Sequence, residues 1–314
     1  MEVKNQWKAW GYLAPALLVL FVFTVYPIFN TLFLAFQEGY DRLGVIGGTT
    51  YPWGFKNFAK IVVPGGYYSN LFYDALLNTT VIVVFTVIPS TVLALLISVA
   101  LNSIKPLQKF LQTIYFLPYI TNTLAIAAVF AIIFQSSGDG VGATAGILNN
   151  IITACGGEAV DWLGGTNKIA SYVVVCIYDI WAGLPFKILI LLGSLQSVNK
   201  QCYEAAKIDG TPKRRVLLRI TVPLISPMIS YLLITGFIGA FKEYTSIIGL
   251  FPSTGTDMGH DNFMITIVGL IYNFIDGDDA GQYGMASAAS LVLLAIIMVF
   301  TAINLYVSKK KVHY

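Results

Sequence analysis

Charge is the scarcest property of this 314-residue chain: only 11% of it is Asp, Glu, Lys or Arg, against about 25% in an ordinary globular domain. Together with 56% hydrophobic residues and a mean hydropathy of +0.73, that deficit excludes a soluble domain. Histidine is nearly missing. His260 and His313 are the two present, and their spacing holds no metal site. The glycine clusters GVIGGTT and GGTNK are not followed by Lys-Ser or Lys-Thr, so the chain has no P-loop for a nucleotide. No nucleophile–base–acid set stands out, and no catalytic residue is assigned. Cysteine is also sparse: Cys155, Cys176 and Cys202 fall in three different settings, which predicts no structural disulfide. The net charge of +3 is small and spread along the chain, which argues against nucleic acid as a partner.

What the chain does have is long apolar runs. Windows able to cross ~30 Å of hydrocarbon fall at about 11–36, 78–101, 112–135, 169–195, 222–249 and 283–307. They follow one another with no soluble module between them, so residues 1–314 read as a single all-α membrane domain of six transmembrane helices. The first run begins after Lys4 and Lys8, like a signal peptide. It is too long for one and lacks a small-residue cleavage site, so it reads as an uncleaved span.

Basic residues set the orientation. The N-terminus, 102–111, 196–221 and the C-terminus together hold 13 of the 19 Lys and Arg, whereas the alternate loops hold four and the spans two. By the positive-inside rule both termini and the 196–221 interval face the cytoplasm. Acidic residues mirror this: 11 of 16 lie in the opposite loops, several of them clustered at Asp257, Asp261, Asp276, Asp278 and Asp279.

The longest polar interval on the predicted inner face is KQCYEAAKIDGTPKRRVLLRITVP, Lys200–Pro223. Helix formers around Ala205 and Ala206 stop at Gly210, which suits a left-handed cap. Thr211 is the expected N-cap of a second helix, with Pro212 at its first position. The result is a helix–Gly–helix elbow with a basic second arm (Lys213, Arg214, Arg215, Arg219).

The spacing Glu204-Ala205-Ala206, Gly210, then Ile220-x-Val222-Pro223 closely resembles the EAA loop of ABC-importer permeases, with Val222 where that family usually has Leu. The resemblance implies that 199–221 is the coupling segment, with Tyr203, Glu204, Ala205, Ala206, Asp209 and Gly210 meeting a cytoplasmic ATPase. It extends along nearly the whole chain. GYLAPALLVLFVFTVYPIFNTLFLAF looks like the first span of carbohydrate-type permeases, FLPYITNTLAIAAVFAIIF the third and IYDIWAGLPFKILILLGSLQSV the fourth; FKEY resembles the polar patch of the fifth, and YGMASAAS the opening of the sixth. GDGVGATAGILNN and DWLGG are similar to the family's outer landing surfaces. GLFPSTGTDMG departs from the Gly-Gly-Pro turn that often follows span five. The implied architecture is the type I ABC-importer permease fold.

Charges at membrane depth are functional suspects, and there are four: Asp179, Lys187, Lys242 and Glu243. Asp179, Gly183 and Phe186 share a helix face, and Pro185 removes one backbone bond beside them. Carried over from the maltose-type permease by the matched Pro185 and FKEY patch, the cargo-contacting positions become Asp179, Ala182, Gly183, Phe186, Gly239, Ala240 and Glu243. Carboxylates stand where that permease uses amides.

The resemblance implies a subunit that imports a sugar or oligosaccharide delivered by an extracytoplasmic solute-binding protein, in a bacterial plasma membrane. Its partners are a second homologous permease and an ATPase dimer, and the ATP and Mg belong to that dimer; this chain carries no cofactor or metal of its own. A related importer for glycerol-phosphate or another small polar solute is the alternative, although Asp179 and Glu243 would repel an anion. An ATP-independent carrier using the buried carboxylates as a proton relay is a further one, but it has no use for the elbow.

Overall fold

The structure, a computed structural model, describes residues 6–40, 50–104, 108–135, 145–251, 263–276 and 281–311. Asp257, Asp261, Asp278, Asp279, both histidines, most of GLFPSTGTDMG and most of the glycine-rich stretch before residue 145 lie outside them. Among the described residues the chain is helical, with one isolated antiparallel bridge between Gln37 and Trp53. The helices are α1 Gln6–Leu20, α2 Tyr26–Phe36, α3 Lys56–Val62, α4 Tyr67–Ser103, α5 Gln108–Ile120, α6 Thr123–Ile133, α7 Ile147–Ala154 and α8 Lys168–Ser197. Then follow α9 Lys200–Ile208, α10 Lys213–Val216, α11 Val222–Leu224, α12 Ser226–Ala240, α13 Thr245–Leu250, α14 Ile267–Asp276 and α15 Tyr283–Lys311.

Among the described residues, four helical stretches are long and apolar enough to cross a bilayer: Trp7–Phe36, Tyr67–Ser103, Lys168–Ser197 and Tyr283–Ser308. Two further pairs qualify if each is taken as one broken span: α5 with α6, bent by 94°, and Lys213–Leu224 with α12, bent by 70°. The sequence windows did not show these breaks. The 112–135 window holds two helices, and the 222–249 window holds three, because α12 ends at Ala240 and α13 starts at Thr245.

Proline shapes two spans the same way. Wide π-turns at Phe21–Val25 and Leu217–Thr221 end just before Pro27 and Pro223. Proline has no N–H to give, and its ring crowds the carbonyl four residues back, so a widened turn absorbs it without ending the helix.

The chain divides into two compact units, Met1–Phe72 with Leu270–Val292, and Tyr73–Gly269 with Leu293–Tyr314. The first is pinned by Asn57, which is 5% exposed and donates from Nδ2 to the carbonyls of Ala35 (3.1 Å) and Gln37 (2.9 Å). Phe36 packs against Phe55 and Phe58 there, with ring centroids 5.3 and 5.2 Å away.

In the second unit α4, α8 and α12 share a core of Ala94, Leu101, Ile188, Leu191, Leu192, Leu195, Ile225 and Leu232. Polar side chains tie distant segments to it. The Ser98 hydroxyl lies 2.6 Å from the Ala94 carbonyl of its own helix and 3.2 Å from that of Ile188 on α8. Asn78, fully buried, donates to the carbonyls of Phe263 and Ile265 and accepts from the Tyr172 hydroxyl. The three cysteines are unpaired.

Helix α13 lies against α6 at Gly249, where a Cβ would come within 2.4 Å of the Ala127 Cβ. Gly249→Val should lower the thermal midpoint of the purified chain by the overpacking cost of about 1–3 kcal/mol. Gly239→Ala, at a position with nothing within 4 Å, should leave it unchanged. Equal midpoints for both variants in a detergent melt would contradict this packing.

Candidate functional site

The two breaks converge on a cavity of about 340 Å³ within the second unit, inside the usual range for small-molecule sites of about 300–1,000 Å³. Helix α4 contributes Thr86, Val87 and Ser90 to its wall, and the α5–α6 bend contributes Pro118, Tyr119, Thr121, Thr123 and Ile126. Helix α8 adds Tyr178, Asp179, Ala182, Gly183 and Lys187; α12 adds Gly236 and Ala240, the turn after it Glu243, and α13 Ser246.

Each break has a side chain that receives the freed N–H groups. At the α5–α6 bend, Asn122 Oδ1 accepts from the amides of Leu124 (2.9 Å) and Ala125 (3.3 Å). This satisfies two of the orphan donors at the start of α6. Between α12 and α13, Glu243 Oε1 accepts from the amides of Tyr244 (3.1 Å) and Ser246 (3.0 Å) and from the Ser246 hydroxyl (2.8 Å). The Thr266 hydroxyl donates to the Glu243 carbonyl at 3.1 Å. Glu243 therefore caps α13 as well as lining the cavity.

The cavity carries both signs of charge. Asp179 is half-buried on α8 and lines the cavity together with Glu243 and Ser246, the serine whose hydroxyl donates to Glu243. Two carboxyls and one hydroxyl make this end rich in acceptors and short of donors. Lys187, 9% exposed, occupies the other end. Its ammonium donates to Ser90 Oγ and lies 3.5 Å from the Val87 carbonyl. Tyr178 closes the wall, its hydroxyl donating to the Thr123 carbonyl at 3.0 Å.

Of the cargo-contacting residues expected from the sequence, Asp179, Ala182, Gly183, Ala240 and Glu243 line this one cavity. Phe186 sits behind the wall instead, stacked on the lining residue Tyr119 at 5.8 Å between centroids. Gly239 is exposed and is not part of the cavity lining. Sequence reasoning marked Lys187 as a buried charge but did not place it in the site, and it passed over Ser90, Thr121 and Thr123. The Pro118 … Thr121-Asn122 run was the available sign of a bend, since Asn is a strong cap.

The elbow forms at its expected place with one correction. Helix α9 is capped at its start by Asn199, whose side chain accepts from the Gln201 amide at 2.9 Å. At its end Gly210 takes φ +64°. The Gly210 amide bonds the Lys207 carbonyl (3.2 Å) and the Thr211 amide bonds the Ala206 carbonyl (3.0 Å). These two bonds make a Schellman ending. The first intrahelical bonds of α10 run from the Arg215 and Val216 amides to the Pro212 carbonyl, so Pro212 and not Thr211 is its N-cap. Glu204, Ala205, Asp209 and Gly210 are exposed, whereas Ala206 is buried. Tyr203 is half-buried, its hydroxyl 3.3 Å from Thr221 Oγ1. Ile208, not singled out from the sequence, is 86% exposed at the tip.

The cap at Glu243 makes a separable forecast. Glu243→Ala should destabilise the chain by about 0.5–2 kcal/mol, the usual cost of a lost helix cap. Glu243→Gln keeps an oxygen acceptor and should retain most of that stability. Equal losses in a thermal melt would show that the cap contributes nothing.

Comparison with known proteins fits this geometry. Residues 90–313 match the family described as binding-protein-dependent transport system inner membrane component. The lactose transport system permease protein LacF of Rhizobium radiobacter is 27% identical, the match covering 97% of this chain and 95% of the relative. The arabinooligosaccharides transport system permease protein AraP of Bacillus subtilis (strain 168) is 28% identical over 96% of this chain and 89% of its own. A chain in the structure of a bacterial alginate ABC transporter, in complex with an alginate pentasaccharide-bound periplasmic protein, superposes with a TM-score of 0.79 at 22% identity. That match covers 98% of this chain and 96% of the other. The chain is therefore a multi-pass permease subunit of the binding-protein-dependent transport system inner membrane component family, with the fold of an ABC importer permease.

Proposed function

We propose that this chain is one of two permease subunits of an ATP-driven importer that carries a sugar or oligosaccharide into the cytoplasm of a bacterium. The observation that carries the reading is the cavity. It joins carboxyls, hydroxyls and the Tyr119 ring in one site, the combination that sugars need for their hydroxyls and their apolar C–H faces. The relatives named for lactose and for arabinooligosaccharides align over nearly the whole chain and favour the same cargo class. Asp179, Ala182, Gly183, Ala240 and Glu243 contact the sugar directly, and Phe186 acts by holding Tyr119.

The chain has no nucleotide site of its own in this reading. Energy comes from an ATPase dimer on the cytoplasmic side, which binds the ATP and Mg, and cargo comes from a solute-binding protein on the outer side. The basic intervals around the elbow favour a cytoplasmic position for both termini and α9. Tyr203, Glu204, Ala205, Ala206, Asp209 and Gly210 present α9 to the ATPase, with Ile208 as the apolar tip of the knob. Closing of the ATPase dimer moves the elbow and rocks the helices around the cavity between outward- and inward-open states.

Two measurements on the importer co-expressed with its partners and reconstituted in proteoliposomes test this. Asp179→Ala should lower sugar uptake roughly tenfold or more, about the value of a hydrogen bond to a charged group, while the complex still assembles. Glu204→Lys or Gly210→Val should separate the ATPase from the permease or uncouple ATP hydrolysis from uptake. Normal vanadate-sensitive uptake in all three variants would overturn the assignment of these residues, and vanadate-insensitive uptake would overturn the importer class.

A further inference from the structure

We propose that the Lys187 end of the cavity is an anion subsite, and that the sugar this chain passes carries a carboxylate, as a uronate does. The proposal rests on the sugar reading above and narrows it. A buried ammonium is costly unless an opposite charge or several acceptors compensate it. The partners that the structure gives Lys187 are neutral: Ser90 Oγ and the Val87 carbonyl, the latter at 3.5 Å. Ser90 does not supply a negative charge. Its hydroxyl lies 2.5 Å from the Thr86 carbonyl and 3.1 Å from that of Val87, so its proton goes to the backbone and its oxygen is left to accept from Lys187. An ammonium has three donors. With Ser90 taking one and Val87 a long second, the remaining direction opens on the cavity that Lys187 lines.

The wall around the ammonium is kept open. A Cβ at Gly236 would lie 3.1 Å from Val87 Cγ1 and 3.8 Å from Lys187 Nζ, so any side chain on that turn of α12 would cover the charge. Glycine leaves it facing the cavity.

The two cavity carboxyls do not contradict an anionic cargo, because they act elsewhere. Glu243 Oε1 is engaged by two amides and a hydroxyl at the start of α13, and Asp179 lines that same end of the cavity. Asp179 and Lys187 stand eight residues apart on α8, a separation of about 12 Å at 1.5 Å per residue. A sugar with hydroxyls at one end and a carboxylate at the other satisfies both ends and is held in one orientation. A cationic sugar would leave the ammonium facing a like charge, and a neutral one would leave it with a weaker acceptor.

The test uses the full-length chain in lipid nanodiscs, with digalacturonate and its neutral counterpart galactobiose as probes. The wild type should bind digalacturonate roughly tenfold or more tightly than galactobiose, the size of one hydrogen bond between charged groups. Lys187→Gln should erase that preference by weakening digalacturonate more than galactobiose, and an unchanged thermal midpoint of the purified variant shows that it is folded. Lys187→Arg should retain part of the preference. Equal affinity of the two probes in the wild type, or an unchanged preference in Lys187→Gln, rejects the anion subsite and leaves the sugar reading standing. Binding of neither probe rejects both.

Discussion

A peptide group in hydrocarbon must find its hydrogen-bond partner inside the protein, and this requirement organises the second unit of the chain. Broken helices are tolerated at membrane depth only where the freed groups are capped or face a polar cavity. Both conditions hold here. The α5–α6 bend is received by Asn122, and the gap between α12 and α13 by Glu243. Thr121, Thr123, Glu243 and Ser246, which flank the breaks, all line the same cavity. The cavity exists because the helices stop there, and the helices can stop there because the caps are built in.

Helix α8 connects that cavity to the elbow. It carries Asp179 and Lys187 on the cavity wall, and ends at Ser197, two residues before the Asn199 cap of α9. Between them Ile188, Leu191, Leu192 and Leu195 pack into the core shared with α4 and α12. Close-packed interiors transmit displacement instead of absorbing it. In the proposed importer, a push on α9 would reach the cavity through one continuous helix and its packed neighbours. The Schellman ending at Gly210 fixes the shape of the turn after α9, which suits the coupling role proposed for it.

Much of this was legible in the residues. Apolar windows gave the crossings, because a bilayer demands unbroken apolar length, and Gly210 announced the end of α9 because left-handed backbone favours glycine. Five of the seven expected contact positions share a cavity, since helical periodicity fixes which residues of α8 point together. The breaks were hidden. Hydropathy sums over Thr121-Asn122 and over Lys242-Glu243-Tyr244 without registering that the backbone turns, and a 94° bend leaves the composition of the window unchanged. Phe186 and Gly239 lie off the cavity wall for a related reason: which way a position near a proline or a helix end faces depends on local geometry that spacing does not carry. The cap of α10 fell one residue later than expected, at Pro212, because the helix's first carbonyl acceptor is that of Pro212.

The account requires that the broken helices border an aqueous route. Cysteine accessibility in membrane vesicles measures this most directly. In a background with Cys155, Cys176 and Cys202 changed to serine, single Ala182→Cys and Thr121→Cys variants should react with a membrane-impermeant thiol reagent, at rates that change when the assembled importer binds nucleotide. Leu96→Cys and Ile303→Cys, at exposed apolar positions 50% and 55% accessible on the protein surface, should stay unreactive in lipid. Uniform protection of all four positions, or reactivity at Leu96→Cys and Ile303→Cys equal to that at the cavity, would contradict the account.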